Sequence, residues 1–599
     1  MSNRQVFETA ASAVEQWLEG KEHLRRVSVR AAKGGLAWDI DLQGEFALVS
    51  SVRLVLPAEF PLEPCRFEVD AQLELKLPHV ERGGKLCLGL WASPSDLEAP
   101  IAAVLRAMET LQNDFLAKLQ QPDWAESEFH EERLTYWSLH CTDPRRATRL
   151  DGRIGRVHVD TSGLAGWAYG AVAGYLHPGT KHGRFYRQVI ACNGVDPDAL
   201  ARRHGWAQGT VVKGHALIVR LPAAHPWTPR TWPKDAKSLN QLVASATDGQ
   251  ASLEGLFARA RGDFKKHQAK HKFRTTHTGR QVPQPNAAPQ LVVLFVQGSA
   301  TYGFQVMPTF GLTARGVAIE PFEVCRMDPD WSLARDHGLP LLHARRTKRV
   351  LLLGTGSLGS FVALLLARAG IGHMTLVDSQ LMEAENTARH VLGLLHVGHA
   401  KAPELADELK RAVPGIDVVG VRSDAGAWMA KHAAPEKFDL VLDCTAERGV
   451  RNAVTLLRAI HFGKTPVMHA WLEPLCSAGH VVLSQPDVPW PIEDPANDLV
   501  NASDLSIDET RVDNPACSAG FHPYGAADVT QVAAFVVERV LAALDAPSTP
   551  STVWSWVRAQ AFFDALPLTV KTRSIVPQSG GRLDTATTTR SLSDLLGQR

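Results

Sequence analysis

Three glycines, Gly354, Gly356 and Gly359, stand in the spacing G-x-G-x-x-G within RVLLLGTGSLGSFVALLLARAG (349–370), and Asp378 comes 19 residues after the last of them. Glycines so placed permit a tight turn, backbone close to a phosphate and a close helix–strand contact, while a carboxylate on the next strand can accept from ribose hydroxyls. Alone, that fingerprint means an adenine nucleotide, with an NAD-dependent oxidoreductase as its default reading. The residues beyond Asp378 shift the balance. Asn386, Arg389 and Lys401 lie downstream of it, and Asp443 ends a later apolar run in DLVLDCTAERGVRNAV. Hydride transfer has no use for cations and a metal-binding carboxylate near the phosphates. Attack of a carboxylate on an α-phosphate does, because it builds negative charge that Arg, Lys and Mg²⁺ neutralise. The spacing therefore favours ATP and adenylation.

Two of the eight cysteines sit where a thiol could react. Cys517, in NPACSAGFHPYGAAD, precedes an apolar helix, and a helix N-terminus lowers a thiol's pKa. Cys87, in LPHVERGGKLCLGLW, lies in a glycine-containing loop. Cys444 and Cys476 read as structural. The cysteines form no C-x-x-C pair, so structural zinc is not expected.

These residues need a frame, and 599 of them exceed one ordinary core. Residues 1–140 read as an amphipathic helix, an antiparallel meander and a helix-rich end, a small α+β domain. Residues 141–330 mix strand-like runs with a basic, proline-rich stretch, which reads as a solvated helix followed by a flexible loop; the pattern does not decide this region's fold. From 331 to 599 the strands RVLLLG, HMTLVD, IDVVGVRS, FDLVLDC and TPVMHAW alternate with helices, the mark of a doubly wound parallel sheet. Residues 484–525 look structureless and long enough to be a crossover, lid or binding loop. The Ser/Thr-rich end, TATTTRSLSDLLGQR, is expected to be loosely held. Lys plus Arg (64) balance Asp plus Glu (63), so the net charge of +1 creates no field for nucleic acid. The N-terminus lacks a signal-type apolar core and no run has transmembrane length, which predicts a cytoplasmic protein without a membrane partner.

Arg349 to about Asp545 resembles the ThiF/MoeB-like superfamily that includes ubiquitin-activating enzymes, through the glycine loop, the strand-end LVD, Asn386 and Arg389 as N-x-x-R, the lysine of VGHAK and the DCT at Asp443. The resemblance implies ATP·Mg²⁺ as cofactor and adenylation of a protein's C-terminal carboxylate. In it Asp378 would hold ribose, Asn386, Arg389 and Lys401 the phosphates and Asp443 the magnesium, with Arg389 also serving catalysis. His390 stands where members often carry Gln. Arg335 lies where the family often supplies an arginine from the partner of a homodimer. Cys517 occupies a place comparable to the acceptor thiol of ubiquitin-activating relatives. PAEFPLEPCRF (57–67) and LPHVERGGKLCLGLW resemble the corresponding stretches of ubiquitin-conjugating enzymes, with Cys87 at the nucleophile. The family's H-P-N asparagine has no clear counterpart, since Val80 follows His79, and His79 reads as a backbone-bonding core histidine.

The implied architecture is a multidomain α/β and α+β chain: a ubiquitin-conjugating-like domain (1–140), a middle domain (141–330) and a Rossmann-like ThiF-type adenylation domain (331–599). The implied activity is ligation: adenylation, a thioester on Cys517, transthiolation to Cys87, and transfer to an amine, lysine foremost. Such a fusion is similar to the conjugating–activating proteins of antiphage CBASS operons. That likeness implies as protein substrate the flexible C-terminus of a CD-NTase, with a ubiquitin-like modifier as the alternative. An oxidoreductase and a non-catalytic scaffold are the rivals from other classes.

Overall fold

A computed structural model describes residues 3–19, 21, 24–27, 35–42, 46, 48–143, 153–176, 185–270, 274–275, 281–282, 290–308, 317–334, 339–513, 520–521 and 523–597. The chain divides into two compact units, one of residues 1–201 and 207–326, the other of 202–206 and 327–599. Cys517 and Arg335 lie outside the described residues. Within them, no helix is long and apolar enough to cross a membrane.

The first unit opens with the helix Asn3–Leu18 and a four-stranded antiparallel sheet in the order Leu24–Val27, Leu36–Asp41, Ser51–Leu56, Arg66–Glu68. The helix buries Ala10, Val14 and Leu18, at the i, i+4 spacing of one face, against Trp38, Leu54, Phe67 and the helix Pro100–Leu111. The region whose fold the sequence left undecided is a closed seven-stranded barrel, from Arg156–Asp160 to Val317–Arg326. Its strand Gln290–Gln297 is buried on both faces. Val292, Leu294 and Val296 join a cluster built from barrel strands, while Leu291, Val293 and Phe295 face the surrounding helices. Double burial explains why LVVLFV is an unbroken apolar run and not an alternating one.

The expected boundary near 140 falls inside this unit. Helix Arg133–Cys141 inserts Trp137 among Trp227, Trp232, Tyr302 and Phe304, with ring centroids 5.2–5.7 Å away. The indole Nε1–H of Trp137 donates to the Phe322 carbonyl at 3.2 Å. The N-terminal domain and the barrel thus share one aromatic core.

The second unit is an eight-stranded sheet in the order Asp417–Arg422, His373–Asp378, Arg349–Leu353, Leu440–Asp443, Val467–Leu472, Ala478–Ser484, Thr552–Arg558, Thr585–Ser591. The first five are parallel and the last three join antiparallel. The five sequence-read strands are all present. Helices Ser357–Arg368, Lys401–Ala412 and Ala526–Asp545 pack one face; Ala425–His432 and Arg448–His461 pack the other. Strand order reverses between Arg349–Leu353 and Leu440–Asp443, the crevice where such sheets bind ligands.

Two expectations about this unit are corrected. The stretch from 484 is not structureless: Trp490, Ala502 and Ser503 are buried, Asp494 pairs with Arg451 at 2.8 Å, and Ser503 donates to Glu473 at 3.0 Å. Its apolar anchors are single residues spaced without period, so no pattern announces them. The Ser/Thr-rich end is not loose either. Thr585–Ser591 is the edge strand, where β-branched threonines suit a pleated, half-exposed surface, and Leu592 and Leu595 are buried beyond it.

Candidate functional site

The glycine loop stands at the sheet's switch point. Gly354 has φ +83°, and a Cβ there would lie 2.9 Å from Thr445 backbone; a Cβ on Gly359 would come within 1.9 Å of the Gly354 carbonyl oxygen. The loop must therefore turn left-handed and seat the helix Ser357–Arg368 tightly. Gly356 is that helix's N-cap, makes no side-chain cap bond and, with Gly354, lines an open cavity beside the helix N-terminus. The cavity, about 120 Å³, is lined by Gly354, Gly356, Asp378, Gln380, Asp424 and Glu447 among others.

Asp378, at the strand end, accepts from the Thr355 N–H at 2.7 Å and from the Gln380 N–H at 2.8 Å. Lys401 begins its helix buried, donating from Nζ to Gln380 Oε1 at 2.8 Å. Burial holds its pKa below the usual lysine range, against the pull of Asp378 and Glu383, and Arg389 adds repulsion. Arg389 lies over the ring of Tyr524, 4.7 Å from its centroid. Asn386 accepts from the Glu383 N–H at 3.2 Å and closes a 3₁₀ turn. A phosphate would relieve the repulsion between Lys401 and Arg389, so the pair fits a nucleotide's phosphates.

Asp443 sits in the interior of the unit. It is 1% exposed, accepts from Thr445 N–H and Oγ1–H at 2.9 and 2.6 Å, and takes the His469 Nδ1–H at 2.9 Å. Burial opposes its charge, yet the bonds from His469 and Thr445 outweigh that and hold it below the usual carboxylate range. It lies off the cavity lining and anchors the loop that comes after it. The carboxylate on the lining is Glu447, one turn of loop later, after Ala446 in the left-handed region at φ +59°. Burial pushes Glu447's pKa up, and the charges of Asp443, Asp424 and Asp378 push it further. Carboxylate oxygens on a polar cavity are the donor type a hard cation takes, and Glu447, with Asp424 and Asp378 on the same lining, is the residue here that would offer one to Mg²⁺. Sequence reading missed Glu447 because an acidic residue between Thr445 and Arg448 carries no signal until the loop's direction is known.

His390 is a fastening. Its Nδ1 accepts from the Leu392 N–H at 3.0 Å, so Nε2 carries the proton and donates to the Thr355 carbonyl at 2.7 Å. Burial, which outweighs the bond to the Thr355 carbonyl, pushes its pKa down from 6.5 to about 4. The unfolded chain therefore takes up this proton first as pH falls, and stability drops from about pH 6.5 until the folded form titrates near 4. Thermal denaturation between pH 7 and 4.5 should show wild type losing up to about 3 kcal/mol more than His390→Gln, whose amide can make both bonds. Parallel losses in the two proteins would remove this role.

In the first unit Cys87 is exposed, and its N–H donates to the His79 carbonyl at 2.9 Å. His79 takes φ +58°, donates its N–H to Tyr136 Oη at 2.9 Å, meets Glu128 through Nε2 at 3.2 Å and stacks on Trp124. It is a framing residue that holds the cysteine loop. The thiol faces a cavity of about 570 Å³ lined by Glu81, Arg82, Glu132 and Tyr136. Partial burial raises its pKa, the Glu81 and Glu132 carboxylates raise it further, and the Gly89 backbone opposes them. Cys444 and Cys476 are buried, the first with its thiol held well up and the second pushed to about 12, as structural thiols should be.

Residues 332–567 match the ThiF family. The ATP-dependent ubiquitin transferase-like protein Cap2 of Enterobacter hormaechei is 29% identical over 210 residues, 34% of this chain and 34% of that protein. The molybdopterin-synthase adenylyltransferase of Escherichia coli is 36% identical over 115 residues, 18% of this chain and 44% of that one. Among solved structures, E. coli MccB with ATP matches at 18% identity and a TM-score of 0.29, over 40% of this chain and 66% of that chain. The matches span 28–39% of the length of the Cap2 relatives.

Proposed function

We propose that this chain, with a ThiF-type fold over residues 332–567, is an ATP-dependent enzyme that adenylates the C-terminal carboxylate of a protein and conjugates that protein to an amine. The observation that carries the reading is the cavity at the switch point, lined by the glycine loop, Asp378, Asp424 and Glu447, with the buried Lys401 tied to its wall through Gln380. An NAD-dependent oxidoreductase needs neither the buried lysine nor the repelling carboxylates. Likeness to proteins described as ubiquitin transferase-like supports the same reading.

In this scheme the substrate carboxylate attacks the α-phosphorus, the α–β P–O bond breaks and pyrophosphate leaves. The charge that develops is met by Lys401, Arg389 and the N–H groups of the helix Ser357–Arg368. Mg²⁺, when bound, would be held by Glu447 with Asp378 or Asp424 beside it and would supply Lewis-acid neutralisation of phosphate oxygens. The Cys517 thiolate then displaces AMP from the acyl carbon, and Cys87 takes the acyl group by transthiolation. A lysine amine finally attacks the Cys87 thioester, losing a proton as the thiol leaves. Glu81 and Glu132 make the Cys87 cavity poor for a resting thiolate and favourable for an arriving ammonium.

The finer reading is that the substrate is a CD-NTase, primed for antiphage defence by a homodimer of this chain, with a ubiquitin-like modifier as the alternative donor. Likeness to Cap2 proteins supports it. Mass spectrometry of the purified protein with ATP, Mg²⁺ and the proteins encoded beside it tests both levels. The expected result is a thiol-sensitive mass increment equal to one neighbour minus water. An NAD-bound protein without any increment would overturn the reading.

A further inference from the structure

His79, Glu128 and Glu132 bring a ring nitrogen and two carboxylates together beside the Cys87 loop, and their donor atoms all lie within 4.8 Å of one another. His79 Nε2 is 3.2 Å from Glu128 Oε1. Glu128 and Glu132 are four residues apart across the end of helix Trp124–Glu131, so the helical turn sets them side by side. Each donor is held by a group that is not itself one of the three. The Trp124 indole N–H donates to Glu128 Oε2 at 3.0 Å, and the Tyr136 hydroxyl donates to Glu132 Oε2 at 3.2 Å. The same Tyr136 oxygen accepts the His79 backbone N–H at 2.9 Å, which fixes His79 in the left-handed region at φ +58°, and the imidazole stacks on Trp124.

We propose that His79, Glu128 and Glu132 form a binding site for a divalent transition metal of the zinc class, next to Cys87. Carboxylates one helical turn apart repel each other, and a single imidazole offers at most one positive charge against the two; a divalent cation neutralises both. An imidazole nitrogen among the donors favours zinc over magnesium or calcium, which take oxygen. The ion would replace the proton between His79 Nε2 and Glu128, which leaves to solvent. Trp124 and Tyr136 supply the outer hydrogen bonds that orient metal ligands before the metal arrives. Three protein ligands leave one position of a tetrahedral zinc open, and His79 and Glu132 line the cavity of about 570 Å³ that Cys87 shares, so that position faces it. The site stands apart from the adenylation reading, since none of its groups lines the nucleotide cavity.

The test is the zinc affinity of the full chain, stripped with EDTA and titrated with Zn²⁺ against a chromogenic chelator. Wild type should hold one tight equivalent. Glu128→Gln keeps the side chain's length, the bond from Trp124 and, through its amide, the contact with His79, so in EDTA it should melt at the wild-type temperature. Its zinc affinity should fall at least about 100-fold, the upper end of what loss of a supporting residue costs. Tyr136→Phe removes only the hydroxyl that orients Glu132 and the His79 backbone, and should weaken zinc about 10-fold. His396→Gln alters another histidine set between glutamates, Glu404 and Glu408, and should leave the affinity unchanged. Wild-type affinity in Glu128→Gln would reduce the trio to an ion pair and overturn the proposal, as would a wild type without the tight equivalent, or an equal loss in His396→Gln. Should Glu128→Gln melt lower in EDTA, Tyr136→Phe decides, and wild-type affinity there overturns the site.

Discussion

Glu447→Gln is expected to lower ATP–pyrophosphate exchange at least about 100-fold, measured with the donor protein found by mass spectrometry, while leaving the fold intact. The substitution keeps the side chain's size and removes only its charge. That charge is already disfavoured in the protein alone: burial and three neighbouring carboxylates raise the pKa of Glu447. Because the folded-state pKa lies above the unfolded one, ionisation of Glu447 costs stability once pH rises through the ordinary glutamate range. The variant without ligands should therefore melt at the wild-type temperature or slightly above it. What it should lose is the further stabilisation that wild type gains from ATP with Mg²⁺. Asp443→Asn should behave in the opposite sense. Its carboxylate holds Thr445 and His469 in a buried network, so the variant should melt lower with or without ligand. Magnesium-dependent exchange at the wild-type rate in Glu447→Gln would return the metal to Asp443, and unchanged melting in Asp443→Asn would remove its anchoring role.

The second large effect concerns the thiols. Cys87→Ala should allow the thiol-sensitive adduct to form and to stay on Cys517, with final conjugates below about one hundredth of wild type, since no second nucleophile is left to pass the acyl group on. Cys517→Ala should leave pyrophosphate exchange intact and abolish the adduct. Conjugates at normal yield from Cys87→Ala would exclude Cys87. Loss of exchange in Cys517→Ala would count against its place after adenylation. The environment of Cys87 adds a pH dependence. With Glu81 and Glu132 holding the thiol up, its loading should accelerate as pH rises beyond the ordinary thiol range, and Glu81→Gln should move that profile to lower pH. A profile unmoved by Glu81→Gln would mean that the carboxylate does not act on the thiol.

The fold and the candidate site were legible to different depths. The central parallel strands Arg349–Leu353 and Leu440–Asp443 announce themselves because they are buried on both faces and read as continuous apolar runs. The glycine loop is equally readable, since left-handed turning at Gly354 and close packing at Gly359 leave no room for another residue type. The barrel was not legible. Its closure depends on parallel pairings between distant segments, Gln290–Gln297 with Thr210–Arg220 and Val317–Arg326 with Arg156–Asp160, which local periodicity does not encode. The end strand Thr585–Ser591 was missed for a related reason, because threonine and serine look like a solvated tail until a neighbouring strand supplies their hydrogen bonds.

Residue type and spacing alone singled out the glycine loop and, downstream of it, a lysine and an arginine as the candidates for holding a nucleotide's phosphates. Those are properties of a few contiguous segments whose steric and electrostatic demands allow little else. Tertiary structure alone decided which carboxylate faces the cavity: the turn at Ala446 sends Glu447 into it and leaves Asp443 in the interior, a distinction of direction between residues four apart. It also brought Tyr524 beneath Arg389, across 135 residues of chain, because packing of helix Ala526–Asp545 against the sheet fixes that meeting, and no local preference does.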